Sequence, residues 1–274
     1  MSVTSTRPDL ALVKSRQQKT WASGNFAMVG TKIQIVSEVL VDAVDVRAGW
    51  RVLDVACGHG NAAIAAARAG ASALGVDYVP ELITDGRVRV AAEGVDVELV
   101  EGDAEDLPVE DASFDAAVSV YGTMFAPDHQ QTANEMVRAT RPGGTLGLAS
   151  WTPDGFIGEM FRTIGAHVPP PPGVASPLLW GREDHLRDLF GDAVATMRST
   201  EETFTFRFRS AEEFVTFFRR WYGPTYKAFE ALDDSATEEL RADLTALASR
   251  WDRHGDGGSV AIPSSYLQTV IGLR

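Results

Sequence analysis

The stretch RVLDVACGHGNAA, residues 51–63, constrains the fold more than any other part of this 274-residue chain. An apolar run containing one carboxylate passes into a glycine turn and then into an alanine-rich helix. A buried strand that ends this way brings backbone N–H groups to a ligand and belongs to a sheet covered by helices. Gly58, Gly60 and Ala63 spell G-x-G-x-x-A, which matches a dinucleotide fingerprint. The glycines by themselves say only that a ligand comes close to the backbone, where a Cβ would interfere.

The same unit repeats through the first half of the chain. SALGVD, DVELVEG, FDAAVSVYG and GTLGLASW read as strands, with helices expected near residues 60–69, 80–93 and 128–140. Asp128 with Gln131 forms a capping box, and RPGG at 141–144 stops that helix. Residues 7–45 read as helical with a break at WASGNF. Short apolar strands alternating with helices predict an α/β fold with a parallel sheet covered on both faces.

After Trp151 the alternation fades. HVPPPPG (167–173) predicts a stiff extended spacer, and REDHLRDLFG a short helix ending at Gly191. Phe204 to Phe208 alternates as a half-buried strand, two or three helices follow over residues 211–252, and the last sixteen residues are β-rich. The expected division is a helical lid at 1–45, an α/β core at 46–210, a helical cap inserted at 211–256 and a final core strand at 257–274.

Composition narrows the partners. A formal net charge of −13 and no basic stripe oppose binding to nucleic acid. The single cysteine, Cys57, excludes an intrachain disulfide and suits a reducing compartment. The N-terminus lacks the pattern of a signal peptide, and no apolar run reaches the length of a membrane span, so a cytoplasmic location is expected. No Cys pair, His-x-x-x-His or His-x-x-Glu pattern points to a metal.

The acids decide between cofactors. Asp77 ends the second strand, 19 positions beyond Gly58, where a carboxylate can accept both hydroxyls of a ribose. A nicotinamide dinucleotide would explain the glycines and Asp77. It would not explain Asp54, an acid beside the turn where an anionic pyrophosphate would sit. S-adenosylmethionine (SAM) carries no phosphate and has a sulfonium and an ammonium, which suit carboxylates at this mouth. Each acid also has a plainer use, Asp54 as a cap for the following helix and Asp77 as a turn former. Cys57 suits a small turn-filling residue.

In order and spacing, VLDVACGHG, LGVD, EGDAEDLPVEDASFD and RPGG resemble the class I SAM-dependent methyltransferases, in particular the ubiquinone/menaquinone-biosynthesis-type branch of small-molecule enzymes. The likeness covers about residues 15–151. It implies a Rossmann-like seven-stranded sheet with the last strand antiparallel. It also implies that Gly58 and the backbone around Ala56 hold the methionine part, with Asp77 on the ribose and Asp103 and Ala104 on the adenine. Ser119 and Tyr121 would lie beside the sulfonium, and Asp54, Gly60 and Tyr78 complete the expected cofactor set. Two positions depart from the family pattern: Ala56 replaces a common glycine, and His59 a common Thr or Ser.

The substrate end is less defined. Trp21 in the N-terminal segment can turn a ring face to the sulfonium or the acceptor, or simply pack on the sheet. Phe214, Phe217, Phe218, Trp221 and Tyr222 share a helical face that suits either core or a pocket for a planar apolar substrate, with Tyr222 and Tyr226 as polar tips. His129, in a first helical turn, is expected to face solvent. His254, in a glycine-rich loop, is the first candidate base, followed by Tyr226 and Tyr222. The expected reaction is in-line methyl transfer to O, N or an electron-rich aromatic C of a small metabolite, in secondary or quinone-like metabolism. An NAD-dependent oxidoreductase and a non-catalytic SAM-binding protein are the alternatives. The former lacks a Tyr-x-x-x-Lys, since Tyr226 stands at the fourth position after Tyr222. The acceptor and the oligomeric state are left open.

Overall fold

A computed structural model of the chain describes residues 9–255 and 257–274. The first eight residues of the expected lid, and Asp256 of the expected cap, lie outside the described residues. Five parallel strands come first: β1 (Arg51–Val55), β2 (Ser72–Asp77), β3 (Val97–Glu101), β4 (Phe114–Val120) and β5 (Thr140–Trp151). Val52, Leu53 and Val55 of β1 are fully buried, as a strand covered on both faces requires.

β7 (Val260–Leu273) inserts antiparallel between β5 and β6 (Val194–Phe208), giving the order β3-β2-β1-β4-β5-β7-β6. The chain order reverses between β1 and β4, the place where an open α/β sheet forms a crevice at its strand ends.

The helical break at WASGNF is real. α1 (Leu10–Trp21) ends there and α2 (Phe26–Val44) begins, with the Asn25 side chain capping it through the Ala27 N–H at 3.0 Å. Val29, Ile33, Val36, Leu40 and Val44 recur at helical spacing and bury one face of α2 against the sheet and α3 (Asn61–Arg68). α4 (Pro80–Glu93) and α5 (His129–Ala139) fill their expected places, and α5 carries the Asp128 cap to the Gln131 N–H.

The second half holds more structure than its pattern suggests. α6 (Phe156–His167) occupies a stretch whose two interior glycines obscure its helical period, yet Phe156, Ile157 and Met160 are deeply buried. β6 runs fifteen residues, ten more than the alternating segment, because an edge strand can be polar on its open face. α5 stops just before RPGG as expected, and RPGG itself lies inside β5. After α7 (Glu183–Phe190), three helices stand between β6 and β7: α8 (Ala211–Trp221), α9 (Gly223–Glu230) and α10 (Asp234–Trp251).

His129 is buried rather than solvent-facing. It packs edge-on against Trp180, and its Nδ1 lies 3.1 Å from Nε2 of His185 on α7. Its pKa is pushed down to about 4, first by burial and then by His185. No helix among the described residues is long and apolar enough to cross a membrane.

Candidate active site

The carboxyl ends of β1, β2, β3 and β4 open on one cleft enclosing about 900 Å³, its mouth included. Its wall includes Asp54 in β1 with Ala56, Cys57, Gly58 and His59 after it, Asp77 at the end of β2 with Tyr78, Asp103, Ala104 and Glu105 after β3, and Tyr121 and Gly122 after β4. Trp21 and Phe26 reach it from α1 and α2.

The glycine turn is built by close approach. A Cβ on Gly122 would lie 2.3 Å from the Ala56 carbonyl oxygen, so the β1 and β4 loops touch only because that side chain is missing. A Cβ on Gly30 of α2 would strike the His59 ring at 2.2 Å. The departure at position 59 is therefore answered by a glycine on a distant helix. Burial, then the Arg89 charge, holds the His59 pKa down near 4, so its ring is neutral at pH 7. His59 Nε2 is buried with no hydrogen-bond partner.

Asp54 takes up the plainer of its two expected uses and also faces the cleft. Its Oδ2 accepts from the Ala63 N–H at 2.8 Å, capping α3 from the neighbouring strand, while the residue also lines the cleft. Asp77 bridges two turns, accepting from Gly58 N–H at 2.8 Å and Val79 N–H at 3.0 Å. Each carboxylate oxygen keeps a second lone pair for a ligand. Burial pushes the Asp54 pKa up to about 7 and that of Asp77 up to about 6, with Asp77 adding repulsion at Asp54. The hydrogen bonds that both accept come from backbone N–H groups. A cationic ligand is what such a pair of buried acids lacks.

Lys14 and Gln18 of α1 are functional candidates that sequence reasoning missed. Lys14 Nζ bridges Asp103 Oδ2 at 2.5 Å and Glu105 Oε2 at 2.6 Å, and Gln18 Nε2 donates to the Tyr78 carbonyl at 2.5 Å. These contacts hold α1 across the rim of the cleft, and Asp103 already carries a partner. Lys14 is one of only four lysines in the chain, an isolated residue that makes no local motif.

A second, narrow apolar chamber adjoins the cleft, enclosing about 360 Å³ with its open side included. Trp21, Phe26, Ile33, Tyr121 and Phe125 line both spaces. Beyond them the chamber is closed by Trp151, Ile157, Met160, Phe206, Phe218 and Tyr222. The aromatic stripe of α8 therefore divides. Phe214 packs on Phe156, Phe206 and Phe208, whereas Phe218 and Tyr222 face the chamber. Trp21 meets Phe26, Phe125 and Tyr222 edge-on with ring centroids 4.8–5.6 Å apart.

Some expected residues stand apart. Ser119 is buried, donating to the Val55 carbonyl at 2.7 Å and accepting from the Thr123 N–H, so its side chain braces the strand ends. Gly60 sits one step back, as the N-cap of α3 with φ of 87°. Tyr226 lines a separate groove on the outer face of the cap. His254 is exposed, in a turn held by Asp252, and its Nδ1 lies 3.0 Å from the Ser259 carbonyl. That turn folds back on β7 and does not carry the imidazole to either space.

Comparison with known proteins adds four findings. Residues 52–144 match a family model described as a methyltransferase domain. An uncharacterized protein of Mycobacterium tuberculosis H37Rv is 37% identical over 253 residues, covering 90% of this chain and 92% of that protein. A demethylmenaquinone methyltransferase of Deinococcus radiodurans is 34% identical over 163 residues, covering 53% and 67%. Among solved structures, a putative methyltransferase from Bacillus halodurans superposes with a TM-score of 0.61 at 17% identity, over 86% of this chain and 97% of that one.

Proposed function

The chain belongs to the class I SAM-dependent methyltransferases, and we propose that its acceptor is a small, planar and largely apolar compound methylated on O, N or an electron-rich aromatic C. The observation that carries this reading is the aromatic chamber that shares Trp21, Phe26, Ile33, Tyr121 and Phe125 with the cofactor cleft. A wall of rings and aliphatic side chains takes apolar ligands, and a flat one gains stacking or edge contacts with the rings.

SAM fits the cleft by the chemistry of its walls. The unneutralised pair Asp54 and Asp77 favours a cation, and the carbonyl and N–H groups around Ala56 and Gly58 are reachable because Gly58 has no side chain. Asp77 would take the ribose hydroxyls, and the Asp103–Ala104 corner the adenine. When bound, SAM supplies a methyl group on a sulfonium, an electrophile that leaves a neutral thioether after displacement.

The protein's own part is alignment and exclusion of water. α1 lies across the cleft as a lid, latched by Lys14 and Gln18, and the C-terminal end of α8 roofs the chamber through Phe218 and Tyr222. Trp21 stands where lid and roof meet, against Tyr222. Tyr222 is the polar tip that orients the acceptor. Burial holds its pKa well above the usual tyrosine range, so it works as a neutral hydrogen-bonding group rather than as a base. An acceptor proton leaves to water, before or after transfer.

The test is a screen of phenols, anilines and hydroxyquinones with SAM, read by product mass. A gain of one methyl on a planar aromatic acceptor supports the reading. Turnover confined to aliphatic or strongly charged acceptors overturns it.

A further inference from the structure

Tyr121 presents a feature that cofactor binding leaves unexplained. Its hydroxyl is buried without a hydrogen-bond partner, in a residue that lines both the cleft and the chamber. A buried hydroxyl with no partner is costly, and such a group in a functional cavity points to a ligand that completes it.

The ring cannot turn away to find a protein partner. It stacks on Trp151 with centroids 3.8 Å apart and planes 3° apart, and Tyr266 packs against it edge-on at 5.8 Å. The backbone is equally fixed. Tyr121 has a φ of 58°, a left-handed conformation that a bulky residue rarely adopts, and its N–H is tied to the Ala149 carbonyl at 2.8 Å. Strain of this kind persists where the surroundings hold it, and here it sets one side chain at the junction of two spaces.

The position separates Tyr121 from the other chamber hydroxyl. Tyr222 lines the chamber alone, under the roof, whereas Tyr121 also belongs to the cofactor wall. A group bonded to Tyr121 therefore lies at the end of the acceptor nearer the cofactor. We propose that the Tyr121 hydroxyl donates a hydrogen bond to an oxygen on the acceptor, and so selects planar apolar compounds that carry a hydroxyl or carbonyl at their methyl-receiving end. This rests on the acceptor reading given above. The chamber walls are otherwise nearly all carbon, so an oxygen that meets no partner there is rejected by its own desolvation.

Two matched probes test it, 2-naphthol and naphthalene, titrated into protein saturated with S-adenosylhomocysteine. Wild type should bind 2-naphthol about tenfold more tightly than naphthalene. Tyr121→Phe should lose that preference and bind both like naphthalene, with an unchanged or higher melting temperature. Tyr222→Phe should keep the preference. Equal binding of the two probes by wild type, a preference that survives in Tyr121→Phe, or one that Tyr222→Phe removes would each overturn the role of Tyr121. If neither probe binds wild type, the planar apolar acceptor itself is refuted, and this inference with it.

Discussion

In the cofactor cleft, the groups that line the wall come from consecutive strand ends: Asp54 within β1, Asp77 at the end of β2, Asp103 after β3 and Tyr121 after β4. In the chamber beside it, the wall is gathered from α1, α2, the segment after β4, β5, α6, β6 and the end of α8, spanning Trp21 to Tyr222. One space is ionisable and bound together by backbone hydrogen bonds; the other is aromatic and held by ring packing. On the proposed reading the cleft recognises a fixed charge pattern, while the chamber selects by shape and by two tyrosine hydroxyls.

The largest effect should come from Asp77→Ala, which removes the proposed ribose acceptor and leaves the Gly58 and Val79 N–H groups unpaired. SAM affinity should fall by about a hundredfold or more, measured by calorimetry, since hydrogen bonds to charged groups contribute roughly 1.5–3 kcal/mol each. Unchanged affinity would break the assignment of Asp77 and the charge-based account of the cleft.

Next in size is the response to pH. Asp54 and Asp77 hold their protons up to about pH 7 and 6 in the free protein, and a bound cation favours their ionised forms. SAM affinity should rise about tenfold or more between pH 5.5 and 7.5. The free protein should respond in the opposite direction. Both folded-state pKa values lie above the unfolded value, so the native state binds more protons from about pH 4 to 7. Unfolding free energy therefore falls as pH rises through that window, which denaturant titration without ligand would measure. A free protein that gains stability across it would contradict the buried, uncompensated acids.

Tyr222→Phe probes the other side of the comparison. Acceptor kcat/KM should fall about five- to tenfold while SAM affinity holds, as expected for one neutral hydrogen bond. A loss of SAM affinity instead would mean that the two spaces do not divide the ligands as described. The smallest effect is expected of His254→Ala, less than about twofold in kcat, because its ring faces Ser259 outside both spaces. A large loss of kcat would restore His254 as a base and require the loop to move.

The two regions also differ in how far they could be read from sequence. Asp54, Gly58 and Asp77 were legible because their spacing along the chain is the spacing of strand ends in a parallel sheet. The antiparallel last strand and the helices before it were legible by resemblance and pattern together. α6 was not, because two glycines break its period, and its stability comes from the pocket its apolar face fills rather than from propensity. His59 stood out as a departure from the family pattern, but its partner Gly30 lies on another helix, where no local signal connects them.

By itself, then, the sequence determined the sheet, the glycine turn and the acid series, since these follow from hydrophobic period and from spacing within single strand–helix units. Tertiary structure alone decided which aromatics face a cavity and which fill the core. Phe214 and Phe218 occupy one face of the same helix, and only the neighbours packed against them separate their roles. It also decided that Lys14 reaches Asp103 and Glu105, that His254 does not reach the site, and that the Tyr121 hydroxyl is left without a partner. Each depends on contacts between segments far apart in the chain, where spacing along the sequence carries no distance in space.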